Sequence, residues 1–166
     1  MNGVPLYWVC RPFAALGVDA LYALMRLRQE VFAVEQRCVY LDADGVDPAC
    51  WHLLGWSSGQ QLQAALRIVP PGRKYGADAS IGRVVTTRET RGSGLGRELV
   101  AKGVLRCRQL YPGASIRISA QAHLARFYER FGFAAVSEPY LEDGIPHVEM
   151  LRATRERVEL DMPPVV

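Results

Sequence analysis

The chain has 166 residues, of which 49% are hydrophobic and 22% charged, with a formal net charge of +3. This composition excludes a disordered chain, and the length suits one domain with a substantial core. The small charge and scattered arginines argue against a nucleic-acid partner, and no apolar run approaches the roughly 20 residues that cross a bilayer. With no signal-peptide pattern at the start, we expect a cytoplasmic protein without a membrane partner. We expect one domain over residues 1–152 and a loosely held tail over 153–166.

The first half of the chain predicts a strand, a helix and two more strands. The apolar run at residues 6–10 is typical of a strand. Apolar side chains then recur at helical spacing over residues 21–34, and Asp19 is placed to cap that helix. An acidic loop follows over residues 35–48. The two further strands are predicted at residues 52–56 and 62–69.

The second half alternates strands and helices. A β-branched run at residues 79–87 predicts a strand, which leads into a glycine-rich turn at 91–96. An amphipathic helix continues to Leu110 and ends before Pro112. The remaining predictions are a strand at 115–119, a helix at 122–131 capped by Gly132, and strands at 133–137 and 145–151. The order β-α-β-β-β-α-β-α-β-β predicts an α/β fold with a mixed, largely antiparallel sheet.

The four cysteines lie far apart and form no C-x-x-C pair, so the sequence predicts neither a metal site nor redox chemistry. They are expected to be reduced thiols, mostly in the core.

The turn Arg91-Gly92-Ser93-Gly94-Leu95-Gly96 joins a predicted strand to a predicted helix. Glycines allow a tight turn and a close ligand, and the free amides of a helix N-terminus carry partial positive charge, which favours phosphate. A turn that only joins the two elements is the alternative. A P-loop would need Gly-Lys-Ser/Thr, but Arg97 and Glu98 follow Gly96. A Rossmann fingerprint would need glycine at position 97.

Two motifs resemble those of the GCN5-related N-acetyltransferase (GNAT) superfamily. Arg91-x-x-Gly94-x-Gly96 matches its Arg/Gln-x-x-Gly-x-Gly/Ala signature, and Phe127-Tyr128-Glu129-Arg130-Phe131-Gly132-Phe133 looks like its "FYEKxGF" segment. Segments similar to the ElaA-type branch run over nearly the whole chain, at residues 28–40, 52–55, 81–85, 120–124 and 142–147.

The resemblance implies a GNAT-type acetyltransferase domain over residues 1–152, with acetyl-CoA as co-substrate and no metal. The acetyl group would pass to a small-molecule or peptide amine by direct attack on the thioester. Edge strands at the ends of the sheet are compatible with a homodimer.

The resemblance also implies where the cofactor binds. The strand before the glycine turn would splay from its neighbour at Ile116. Its backbone would bind the pantetheine arm and polarise the acetyl carbonyl at Val84, Val85 and Thr86. Gln121 stands where many members carry a cofactor-contacting asparagine. The pyrophosphate would lie on the turn and helix start, formed by Arg91, Gly92, Ser93, Gly94, Leu95, Gly96 and Arg97.

Tyr128 matches the family tyrosine that protonates the departing thiolate, and a half-buried packing tyrosine is the alternative. Two residues are candidates for the general base: Glu35, which ends the first helical region, and His147, which opens the last strand and titrates in a useful range. Each could instead be a solvated or packing residue. His123 and His52 are weaker candidates. Three aspartates of the acidic loop could attract a cationic amine or be simply solvated: Asp42, Asp44 and Asp47.

Two other functions remain open from the sequence. Arg28-x-x-Val31-Phe32 followed by an acidic loop resembles acyl-homoserine lactone synthases, although those proteins lack a good glycine loop for pyrophosphate. The other alternative is a non-catalytic coenzyme A sensor or interaction module, which thioester turnover with free amines would distinguish from an enzyme.

Overall fold

A computed structural model describes residues 5–154 of the chain. Most of the predicted tail, from residue 155 onward, lies outside the described residues. Within them, no helix has the length and apolar character that a membrane span requires.

One sheet of eight strands forms the centre of the described domain. Its spatial order is β1-β2-β3-β4-β5-β8-β6, and β7 pairs with β8 beside this path. Every neighbouring pair is antiparallel except β4 and β5, so the predicted mixed, largely antiparallel sheet is confirmed. The strands are β1 (Tyr7–Pro12), β2 (Trp51–Trp56), β3 (Leu62–Val69), β4 (Ala79–Thr86), β5 (Ile116–Gln121), β6 (Ala134–Ala135), β7 (Tyr140–Glu142) and β8 (Ile145–Arg152).

Three α-helices flank the sheet in the described residues: α1 (Val18–Arg28), α2 (Leu95–Leu110) and α3 (Ala125–Glu129). The first continues as a π-helical segment over Gln29–Glu35. The prediction that Asp19 caps α1 is wrong, because Gly17 (φ +79°) occupies the N-cap position of this helix. Asp19 lies in the first turn instead, where a carboxylate complements the helix dipole.

Two elements near the C-terminus are shorter than predicted. The predicted helix at 122–131 divides into a 3-10 turn (Ala122–Leu124) followed by α3, and the predicted strand at 133–137 is reduced to β6. The short strand β7 was not predicted. It forms a hairpin with β8 through Asp143 and Gly144, both with positive φ, which is the geometry that an Asp-Gly turn favours.

The apolar faces of the two long helices pack in two separate clusters of the core. Leu24, Leu27 and Val31 from the first helical region pack with Val85 of β4. The other cluster joins α2 to the sheet and includes Leu99, Val100, Val104 and Cys107. At Gly103 of α2 a side chain would meet Leu66 at 2.5 Å, so glycine allows the helix to lie close on β3.

The parallel strands β4 and β5 pair only at their beginnings. Their register partners are Ala79 with Ile116 and Ser80 with Arg117, and the strands diverge beyond these pairs. The predicted splay is therefore confirmed. On its other edge, β4 is irregular opposite β3, where Arg83 has a positive φ of 50°. This opening between β4 and β5 positions the site described next.

Candidate active site

The glycine turn lies at the end of β4 and begins α2. Gly92 (φ +78°) and Gly94 (φ +93°) adopt left-handed backbone that a side chain would strain, and Gly94 caps the helix. A Cβ added at Gly92, Gly94 or Gly96 would meet no protein atom within 4 Å, so the neighbouring packing does not require glycine here. The turn therefore faces open space that a ligand can occupy, and a coenzyme A pyrophosphate fits it.

The amides of this turn are partly free. Those of Arg97 and Glu98 donate to the Gly94 carbonyl at 3.0 and 3.2 Å. The amides of Leu95 and Gly96 lie earlier in the first turn of α2, where the helix supplies no carbonyl partner, and the Leu95 amide makes a long hydrogen bond of 3.4 Å to the Ser93 hydroxyl oxygen. Ser93 braces the turn, because its hydroxyl donates to the Thr90 carbonyl at 2.6 Å.

Arg91 of the turn forms an ion pair with Glu35. Its Nη1 lies 2.6 Å from a carboxylate oxygen of Glu35, and its Nη2 is 3.5 Å from the Thr86 carbonyl. Glu35 is the last residue of the π-helical segment. The structure thus places this predicted base beside the predicted phosphate loop.

A cavity of about 500 Å³ occupies the opening between β4 and β5. Four of the predicted site residues line it: Val84, Gln121, Tyr128 and His147. Val85 points into the core beneath α1. Glu35 is outside the lining, as are the weaker candidates His52 and His123. Another part of the wall comes from the π-helical segment and the residues after it, and includes Phe32, Gln36, Cys38, Tyr40 and Leu41.

Tyr128 contributes a protonated phenol to this cavity. Its ring makes edge contacts with Phe127 and Phe133, at centroid distances of 5.1 and 6.0 Å. Burial raises the pKa of Tyr128 to about 12, because the phenolate loses solvation there. The hydroxyl therefore keeps its proton over the physiological range and can donate it.

His147 has a defined tautomer in the structure. Its Nδ1 lies 2.8 Å from the Ile145 carbonyl oxygen, which can only accept, so Nδ1 carries the hydrogen. The lone pair of the neutral ring is consequently on Nε2. The ring stacks on Tyr140 at a centroid distance of 6.3 Å, and Gln121 is its register partner on β5.

A polar chain beside His147 was not predicted from the sequence. The Ser119 hydroxyl is 2.6 Å from both the Tyr140 hydroxyl and a Glu142 carboxylate oxygen. Because the carboxylate only accepts, Ser119 donates to Glu142 and Tyr140 donates to Ser119. Ser119 and Glu142 line the cavity. The Asp-Gly turn was the available signal, since it pairs the residues before it with Ile145 and His147.

The three aspartates of the acidic loop are engaged in ion pairs, so they are neither simply solvated nor free to attract an amine, although Asp44 is exposed and lines the cavity. The aspartates bind three arginines from α1, β3 and β4, in an ion cluster formed by Asp42, Asp44, Asp47, Arg28, Arg67 and Arg83. We call this set the ion cluster. Three acidic and three basic side chains give it no net formal charge.

Contacts in the ion cluster are short and mostly buried. Arg28 is fully buried and lies 2.7 Å from both Asp42 and Asp47, while Arg67 approaches Asp44 at 2.6 Å. Burial alone would raise the pKa of Asp47, but its arginine partners hold that pKa below the usual value. Burial also lowers the pKa of His52, whose Nε2 is 3.3 Å from the Asp47 carbonyl.

Comparisons with known proteins find a matching family and several relatives. The family described as acetyltransferase (GNAT) domain matches residues 62–153. Protein ElaA of Escherichia coli is 41% identical over 147 residues, covering 87% of this chain and 95% of that protein. A UPF0039 protein of Synechocystis is 44% identical over 144 residues, covering 87% and 93% respectively.

Solved structures show the same fold. An acyl-CoA N-acyltransferase from Pseudomonas aeruginosa has a TM-score of 0.85 and 45% identity, covering 89% of this chain and 99% of that one. The crystal structure of Escherichia coli ElaA has a TM-score of 0.83 and 40% identity, with the same coverage. A coenzyme A-dependent acyl-homoserine lactone synthase, at 17% identity and a TM-score of 0.73, shares the fold alone.

Proposed function

This chain belongs to the GNAT acetyltransferase family, with ElaA among its relatives, and we propose that it transfers an acetyl group from acetyl-CoA to an amine. The observation that carries the proposal is the opening between β4 and β5. It has a glycine turn at one end, and a cavity lined by titratable side chains runs along it. The amine attacks the thioester carbonyl directly, the C–N bond forms, and the C–S bond breaks.

The cofactor would lie along β4 and across the turn. Register pairs with β5 end at Ser80, so the later part of β4 has a backbone edge available for the pantetheine amides. Val84 falls in the irregular stretch and has no register partner on β3 or β5 in the described sheet. The pyrophosphate would take the amides of Leu95 and Gly96.

The two proton transfers need an acid and a base. Tyr128, held protonated by burial, would donate to the departing thiolate. His147 would accept the amine proton at Nε2, because its Nδ1 is committed to the Ile145 carbonyl. We prefer His147 to Glu35 as the base, since Glu35 is paired with Arg91 and lies outside the cavity lining.

The test of the function is thiol release from acetyl-CoA with a panel of amines. Tyr128→Phe should lower kcat by about 10²–10⁴-fold, the usual range for general acid catalysis, without weakening acetyl-CoA binding. An unchanged kcat would make Tyr128 a packing residue.

His147→Gln tests the base. The parent enzyme should show an acidic limb in its kcat/KM profile, because the base must be neutral to accept the proton, and the variant should lose that limb. His123→Gln is the matched control, because His123 is exposed and outside the cavity lining. If the limb persists in His147→Gln, a group other than His147 accepts the amine proton. If acetyl-CoA binds but no amine releases thiol, the chain is a binding module rather than an enzyme.

A further inference from the structure

The cavity contains charged side chains that the fold does not neutralise. Six charged residues line it: Asp44, Arg67, Lys74, Arg83, Glu142 and Asp143. Three of these, Asp44, Arg67 and Arg83, belong to the balanced ion cluster. One ammonium group and two carboxylates of the lining are therefore available to bind a substrate.

The remaining cation is Lys74, in the connection between β3 and β4. Its ammonium lies 5.0 Å over the Tyr75 ring, and no carboxylate comes within ion-pair distance of it in the described part of the chain. The charged groups that act on it are Glu142, Arg67, Arg83 and Asp44. Lys74 lines the cavity together with all four of these residues.

The remaining anions are Glu142 and Asp143 in the turn between β7 and β8. Glu142 accepts a hydrogen bond from Ser119, and neither carboxylate forms an ion pair among the described residues. Both lie in the hairpin that also carries His147, the proposed base. The anionic groups therefore attract an ammonium to the side of the cavity where it would be deprotonated.

We propose that the acceptor is an amino acid, an amine that also bears a free carboxylate, and that Lys74 binds this carboxylate. The inference rests on the proposed acetyl transfer and names its substrate class. A diamine would bring its second charge towards Lys74 and the arginines of the ion cluster. An amine with no other charged group would leave Lys74 without a carboxylate partner. A zwitterion supplies both missing partners.

The first experiment compares each amino acid with its own carboxamide in the thiol-release assay. The pairs are glycine, leucine and glutamate, each with its α-carboxamide. Each carboxamide keeps the amine and the side chain of its amino acid but lacks the negative charge of the α-carboxylate. A hydrogen bond between charged groups is worth enough to favour the carboxylate form by roughly 10- to 100-fold in kcat/KM, mostly through KM. Equal kcat/KM for the acids and their carboxamides overturns the inference.

The second experiment changes the residue. Lys74→Gln should remove most of the preference for the carboxylate form, measured as the ratio of kcat/KM for each acid to that for its carboxamide, and Lys74→Arg should retain that preference. Arg73→Gln is the matched control, because this neighbouring cation lies outside the cavity lining.

The outcomes separate the two proposals. If amines release thiol but Lys74→Gln keeps the full preference, the carboxylate binds elsewhere and this inference fails while acetyl transfer stands. If no amine releases thiol from the parent enzyme, both fail.

Discussion

Replacing Asp47 with alanine removes the most deeply buried carboxylate of the ion cluster. Asp47 is 5% exposed and receives Arg28 at 2.7 and 3.2 Å, and it pairs with Arg67 at 3.3 Å. After the change, two buried guanidinium groups share fewer carboxylates and the cluster gains a net positive charge. Removing one partner of a buried pair costs about 3–5 kcal/mol.

The matched control is Glu30→Ala, which removes an exposed ion pair. Arg26 and Glu30 have side-chain exposures of 71% and 50%, and such a helical pair contributes about 0.3–0.5 kcal/mol. For a domain of this size, about 2–4 °C of melting temperature corresponds to each kcal/mol, so Asp47→Ala should melt roughly 6–20 °C lower. Calorimetry and urea unfolding measure the stability of both variants. If Asp47→Ala loses no more stability than Glu30→Ala, the ion cluster does not stabilise the fold.

Three further predictions concern the glycine turn, the Glu35 pair and acid stability. Gly94→Val should abolish the rise in melting temperature that acetyl-CoA produces, because a side chain would occupy the ligand space and strain φ +93°; an undiminished rise would contradict the phosphate site. Glu35→Gln should tighten coenzyme A binding, by at most about five-fold, because Arg91 loses a competing carboxylate; calorimetric titration measures this, and weaker binding would refute it. Urea unfolding should show stability falling in two stages on acidification. The folded-state pKa values of His52 and Asp47 are lowered, so the unfolded chain takes up protons first, below about pH 6.5 and then below about pH 3.9. His52→Gln should remove the first stage, and a first stage that persisted would exclude His52 as its source.

Local signals in the sequence predicted most of the sheet. Strands β2 and β3 agree with their predicted bounds to within one residue, because largely apolar runs end there in clear turn residues. The glycine turn was also predictable, since Gly94 takes the left-handed cap position that begins α2. The helix starts at Leu95, within the segment predicted as the turn.

The ion cluster could not be predicted, because its partners are distant in the chain. Arg28 lies 14 residues before Asp42, Asp44 is 23 residues before Arg67, and Asp42 is 41 residues before Arg83. No local pattern encodes such pairs; they form only when β3 and β4 come together beneath the acidic loop. From sequence alone, charged residues between two elements are expected to be solvated.

The polar chain beside His147 was missed for a different reason. Tyr140 and Glu142 belong to β7, whose three residues are too few to show strand periodicity. Recognising the Asp-Gly turn as a hairpin would have placed Tyr140 opposite His147, which is the register observed. Their contact with Ser119 would still have required the pairing of β5 with β8, which is a tertiary feature.

The ion cluster also links the stability of the fold to the shape of the proposed cofactor site. Arg83 is held at φ +50°, a conformation that costs a residue with a side chain about 1–3 kcal/mol. Its guanidinium is 2.7 Å from Asp42 and lies over the Phe32 and Tyr40 rings at 5.9 and 5.3 Å. These contacts offset the strain and maintain the irregular stretch that leaves Val84 without a register partner. The aspartates of the loop therefore stabilise the backbone shape of β4 on which the proposed binding of the pantetheine arm depends.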